Sequence, residues 1–150
     1  MAGGGYSKSE IELAVMEALR PLTAEAGGYL RTLGKHPGSL SVEELKAEAL
    51  QLPAVFVSYI SSAYSQDRYC ATSETMLMNI YAAARVSGRH DAISILEDVR
   101  DNLCGSTLGL SIKPFRVVTE EVVENTVHQV VVRAVYSTGQ QVGLSAQSLI

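Results

Sequence analysis

The chain has 150 residues, of which 47% are hydrophobic and 19% charged, and its net charge is -4. This is the size and make-up of one domain that holds a core without metal or disulfide staples, not of a disordered chain. The acidic balance argues against a protein whose main work is gripping nucleic acid, and no apolar run of about 18 residues is present to span a membrane.

The glycine-rich lead at 1–6 has neither the basic nor the apolar region of a secretory signal, so the chain is expected to act in the cytoplasm where it is made. Ser7 and Glu10 stand at capping-box spacing. Ile11, Val15, Leu19 and Leu22 then recur at helical spacing and predict a first helix with that stripe buried. Pro21 should end or kink it near Leu19 or Arg20. Residues 23–33 read as a second helical segment weakened by Gly27 and Gly28, and 34–38 as a turn. Ser41 and Glu44 repeat the capping spacing and open another helix, with Val42, Leu45, Ala49 and Leu52 on one side and Pro53 as its stop.

Residues 54–61 are rich in β-branched and aromatic side chains and predict a largely buried strand. A polar hairpin loop is expected at 61–68, then a long strand at 69–84. In that strand Met76, Met78, Ile80 and Ala82 should face the core, with Ser73, Thr75, Asn79 and Tyr81 on the more polar side. After a break at Ser87-Gly88-Arg89, Asp91 opens a helix whose expected buried stripe is Ile93, Leu96, Val99 and Leu103. Asp98, Arg100 and Asp101 should point outward, and Gly105 suits the position just past the helix end. Two more strands are expected at 112–120 and 126–138, the second with Val130, Val132, Ala134 and Tyr136 on one face. Between them lies an acidic turn holding Glu120, Glu121, Glu124 and Asn125. Residues 139–150 read as a mobile tail, which leaves 1–138 as the domain.

Two hairpins flanking a helix predict an α+β domain: a mixed or antiparallel sheet of about four strands with helices packed on one face. The long mid-chain strands are candidates for pairing with a neighbouring chain.

No catalytic, cofactor-binding or metal-ligating constellation emerges. His36, His90 and His128 lack helical metal spacing, and Cys70 and Cys104 form no CxxC pair and read as small, semi-buried, reduced hydrophobes. Gly105-Ser106-Thr107-Leu108-Gly109 has the spacing of a nucleophile elbow, but its centre is Thr and its helix comes before it. Two surface clusters remain. The acidic turn of Glu120, Glu121 and Glu124 is either a solvated loop or one that contacts a partner or lines a channel. Arg85 and Arg89, close to His90, make the best local basic spot, suited to a phosphate backbone or an acidic partner loop.

Several phrases resemble small tail proteins of Mu-like phages and prophages, a family related to tail terminators. They are Leu52-Pro53-Ala54-Val55-Phe56-Val57-Ser58-Tyr59, the helix Ile95-Leu96-Glu97-Asp98-Val99-Arg100-Asp101-Asn102-Leu103, Leu108-Gly109-Leu110-Ser111-Ile112-Lys113-Pro114-Phe115, and the strand end Tyr136-Ser137-Thr138. The resemblance implies a virion protein of the tail that forms a ring, commonly a hexamer. Such a ring caps the tail tube, stops its polymerisation and meets a neck or head-connector protein, with the tail sheath as a further partner. It implies no cofactor, no membrane and only passive contact with DNA, and it would let the acidic turn face a lumen or a neighbouring ring. Other readings are a neck or head-completion protein, a small enzyme using Cys104 or His128, and a monomeric binding module.

Overall fold

The computed structural model describes residues 5–35, 52–66, 72–86 and 91–142. Helix α1 spans Lys8–Leu19. Its start is set by a capping box: the Ser7 hydroxyl accepts the Glu10 amide at 3.1 Å, and the Glu10 carboxylate accepts the Ser7 amide at 2.8 Å. Pro21 cannot continue an α-helix, and the chain tightens into a 3-10 turn over Arg20–Leu22. Ile11, Val15 and Leu19 are buried as expected.

The helical continuation expected over 23–33 is not formed. A second 3-10 turn, Ala24–Ala26, is followed by strand β1, Thr32–Lys35. Two glycines explain the difference. Gly27 sits at φ 93°, where L side chains are strained. At Gly28 a Cβ would lie 2.2 Å from the Leu22 carbonyl oxygen, because the chain folds back there. The Tyr29 and Leu30 amides both donate to that oxygen at 2.8 Å. The helix expected from Ser41 to Pro53 lies, up to residue 51, outside the described residues.

Strands β2 (Ala54–Gln66), β3 (Thr72–Arg85), β4 (Arg116–Asn125) and β5 (Gln129–Val142) complete a five-stranded sheet in the order β1-β2-β3-β5-β4. Strand β1 runs parallel to β2 and every other pairing is antiparallel, so the sheet is mixed. The α+β class and both hairpins agree with the sequence reading, and β1 is the strand it lacked. Two strands also run further than expected. Residues 61–66, read as loop, continue β2, and 139–142, read as tail, continue β5.

Helix α2, Ala92–Leu103, is capped by Asp91, whose carboxylate accepts the Ser94 amide at 2.7 Å. Beyond its end Gly105 takes φ 81° and its amide donates to the Phe115 carbonyl at 2.8 Å. Both described helices pack on one sheet face. Ile11, Val15 and Leu19 of α1 and Ile95, Leu96, Val99 and Leu103 of α2 share a core with Val55, Val57, Met76, Met78, Ile80, Ala134 and Tyr136. The expected stripe of α2 needs one correction: Ile93 is 59% exposed, and Ala92 and Ile95 carry its first turn inward. On the opposite sheet face Ala54, Phe56, Tyr81, Ala83 and Val131 form a second buried cluster. Tyr81, expected on a polar face, is therefore core.

Candidate functional site

The three glutamates singled out from sequence do not form a turn. All belong to strand β4, and the reversal comes after it, at residues 126–128. Thr126 explains why the chain turns there: its hydroxyl accepts the amides of His128 and Gln129 at 3.2 and 3.1 Å. Directly opposed residues of an antiparallel pair share a face. Glu120 lies opposite Ala134 and so stands on the helix-covered face. Glu121 lies opposite Arg133, with which it forms an ion pair, and Glu124 lies opposite Val131 and accepts the Gln129 side-chain amide at 3.1 Å. The acidic cluster is thereby split between the two faces of an edge strand.

On the helix side, α2 and β4 enclose an open groove of about 220 Å³ lined by Ile93, Leu96, Glu97, Arg100, Glu120 and Val122, among others. Its apolar lips are exposed: Ile93 is 59% and Val122 54% accessible. Arg100 stands 4.0 Å from Glu97, a surface pair of small energetic value.

A second polar centre was not anticipated. Glu74 of β3 is 2% exposed. Its carboxylate accepts from Ser62 Oγ at 2.6 Å, Gln140 Nε2 at 3.0 Å, Tyr64 OH at 3.2 Å and Lys8 Nζ at 3.0 Å. The Gln140 amide in turn donates to the Tyr6 carbonyl and accepts the Tyr6 amide, both at 2.8 Å. Burial pushes the Glu74 carboxyl up, but the donors Ser62, Gln140 and Lys8 outweigh it and hold the group below its ordinary value. Hydrogen bonds to Tyr64 and Glu74 hold the Lys8 ammonium above its own. The network ties the start of α1 to the far ends of β2, β3 and β5. One sequence signal could have found it: Glu74 has the same parity as Met76, Met78 and Ile80, so it points inward.

Arg85 ends β3, exposed, opposite Gln129. Arg89, with His36, Cys70 and His90, lies outside the described residues, so the basic pair is placed at one member only. His128 is exposed in the β4–β5 turn and not on a strand. Cys104, expected to be semi-buried, is exposed at the end of α2. Among the described residues no three His, Cys, Asp or Glu side chains gather as a metal site would need. No described helix is long and apolar enough to cross a membrane.

The class defined by this geometry is an α+β protein with a buried carboxylate network at the start of α1 and an open groove beside the edge strand of a mixed sheet. The chain matches the family described as Bacteriophage Mu, Gp37 over residues 8–142, and it belongs to that family. The expected kinship with proteins of Mu-like phages thus holds. Among solved structures, a chain of the "Virion of native gene transfer agent (GTA) particle" has a similar fold, with a TM-score of 0.61 and 16% identity over 91% of this chain and 98% of that one. No curated protein matches the chain.

Proposed function

We propose that this chain is a structural protein of a phage-type virion, and within the virion the tail terminator. It assembles as a ring, of six copies, that caps the tail tube, ends its polymerisation and joins the tail to the neck. The observation that carries this reading is membership of the family described as Bacteriophage Mu, Gp37 across residues 8–142. The full-length likeness in fold to a virion chain supports it.

The work is done by surfaces. A subunit with two unlike patches closes head to tail into a ring. One ring face copies the contact surface of the tube, the other does not, and growth stops. Its partners are then itself, the tube protein, a neck or head-connector protein and, in a contractile tail, the sheath. It assembles in the host cytoplasm and ends in the virion tail. A net charge of -4 suits a passage through which DNA slides without being held.

Co-purification of the tagged chain with its phage's structural proteins tests the reading. Capture of the tube protein is expected. Capture of the portal or its adaptor without tube protein would move the chain to the neck.

A further inference from the structure

Residues 5–7 lead into α1 and lie against the last residues of β5. They come so close that a Cβ at Gly5 would run into the side chains of Val142 and Gln140. Yet no backbone hydrogen bond joins Gly5 or Tyr6 to a strand among the described residues. Both backbone groups of Tyr6 are met by one side chain instead. The Gln140 oxygen accepts the Tyr6 amide, and the Gln140 NH2 donates to the Tyr6 carbonyl, each at 2.8 Å. This pair of bonds does for Tyr6 what a neighbouring strand would do. A second point of attachment is the Tyr6 hydroxyl, which accepts the Ser111 amide at 3.2 Å, while the ring packs half-buried against the core.

A side-chain amide can sit either way round, and only one way serves Tyr6. Turned over, Gln140 would set its NH2 against the Tyr6 N–H and its oxygen against the Tyr6 carbonyl. Glu74 settles the choice. Its carboxylate only accepts, so it takes the other N–H of the Gln140 amide, at 3.0 Å, and would repel the Gln140 oxygen. Ser62 and Lys8 hold Glu74 in turn. Gln140 is 6% exposed and Glu74 2%, so water hardly competes for either.

We infer that residues 5–7 are a strap, clasped to the end of the sheet by Gln140 with Glu74 as the positioning residue, and that the strap opens as a unit while the rest of the domain stays folded. It opens alone because of how it is attached. Apart from the Tyr6 ring it is held by side-chain hydrogen bonds and by no ladder, and segments held in this way are the first to open. Opening uncovers Val142 and the Gln140–Glu74 pair, and leaves the start of α1 to its own capping box. The clasp lies within one chain and does not depend on the ring reading above.

Hydrogen exchange of the full chain, read at single amides at neutral pH, tests the clasp. The Tyr6 amide is protected only while Gln140 holds it, and the Ser111 amide only while Tyr6 does. Gln140→Met keeps the length of the side chain and removes both bonds. Exchange at Tyr6 and Ser111 is expected to rise about tenfold or more, while amides in the middle of β3 keep their protection. Glu74→Met is expected to do the same, although Glu74 touches neither amide. Glu74→Gln still offers Gln140 an acceptor and is expected to hold exchange within about threefold of wild type. Should either methionine variant not fold, Gly5→Val lifts the strap from its own side and is expected to raise Tyr6 exchange alike. Unchanged Tyr6 exchange in Gln140→Met or, in its place, Gly5→Val overturns the clasp. A loss of protection in Glu74→Met that Glu74→Gln shares in full overturns the positioning role. Exchange that rises equally in β3 overturns the separate opening.

Discussion

Glu74 is a carboxylate with 2% exposure that keeps its charge because four donors surround it. Removing it strands the buried Gln140 amide and the half-buried Ser62 hydroxyl, while Lys8 and Tyr64 stay within reach of water, so Glu74→Ala should cost about 1–3 kcal/mol in chemical denaturation. The pH dependence follows from its depressed pKa. The stabilisation is fully present above the ordinary value of 4.5 and is lost as pH falls through the lower folded value. Wild-type melting temperature should therefore fall on acidification below that point more steeply than that of Glu74→Gln. Equal acid slopes would mean that Glu74 does not titrate as described. Tyr136 is the opposite case. It is fully buried, and its hydroxyl has no hydrogen-bond partner among the described residues. Tyr136→Phe removes a group that lost its water and gained nothing, so stability should hold or rise by up to about 1 kcal/mol. A marked loss would reveal a partner for that oxygen.

The two helices show which local signals survive folding. The capping box of α1 acts within four residues and needs no tertiary help, so its start and its end before Pro21 were legible. The stripe of α2 was legible except in its first turn, where position on the sheet decides which side faces in. Leu103 is 0% exposed and Ile93 59%. Leu103→Ala should thus cost about 2–5 kcal/mol, and Ile93→Ala within about 0.5 kcal/mol of nothing, by denaturant midpoint. A large loss from Ile93→Ala in the isolated subunit would contradict this placement. Strands were harder. Glu120, Glu121 and Glu124 suggest a turn by composition, yet an edge strand buries little, so glutamates cost it little. The ends of β2 and β5 look like loop and tail because Ser62, Thr138 and Gln140 are polar. Each has a hydrogen-bond partner far off in sequence, respectively Glu74, the Lys113 carbonyl and both Glu74 and the Tyr6 carbonyl. Hydropathy cannot see such partners. Strand β1 was hidden for a related reason: four residues that pair with Ala54–Val57 carry almost no period of their own.

At the scale of the molecule, the long strands and the sheet face that carries both described helices were legible, and so was the kinship with Mu-like phages. The surface beside α2 was only partly so. The sequence pointed to Glu120 as part of a projecting turn, whereas the register of β4 on β5 places it on a flank beside the α2 groove. A flank made by residues from two elements has no local signature, since its parts are brought together only by the sheet. The account stands on ring formation, and the mass of the wild-type chain, measured by light scattering after size exclusion with negative-stain images of the same peak, tests it most directly. The measurement is made with the chain alone and again with its tube protein. A closed ring with a central hole is expected. A chain that stays monomeric in both would contradict it.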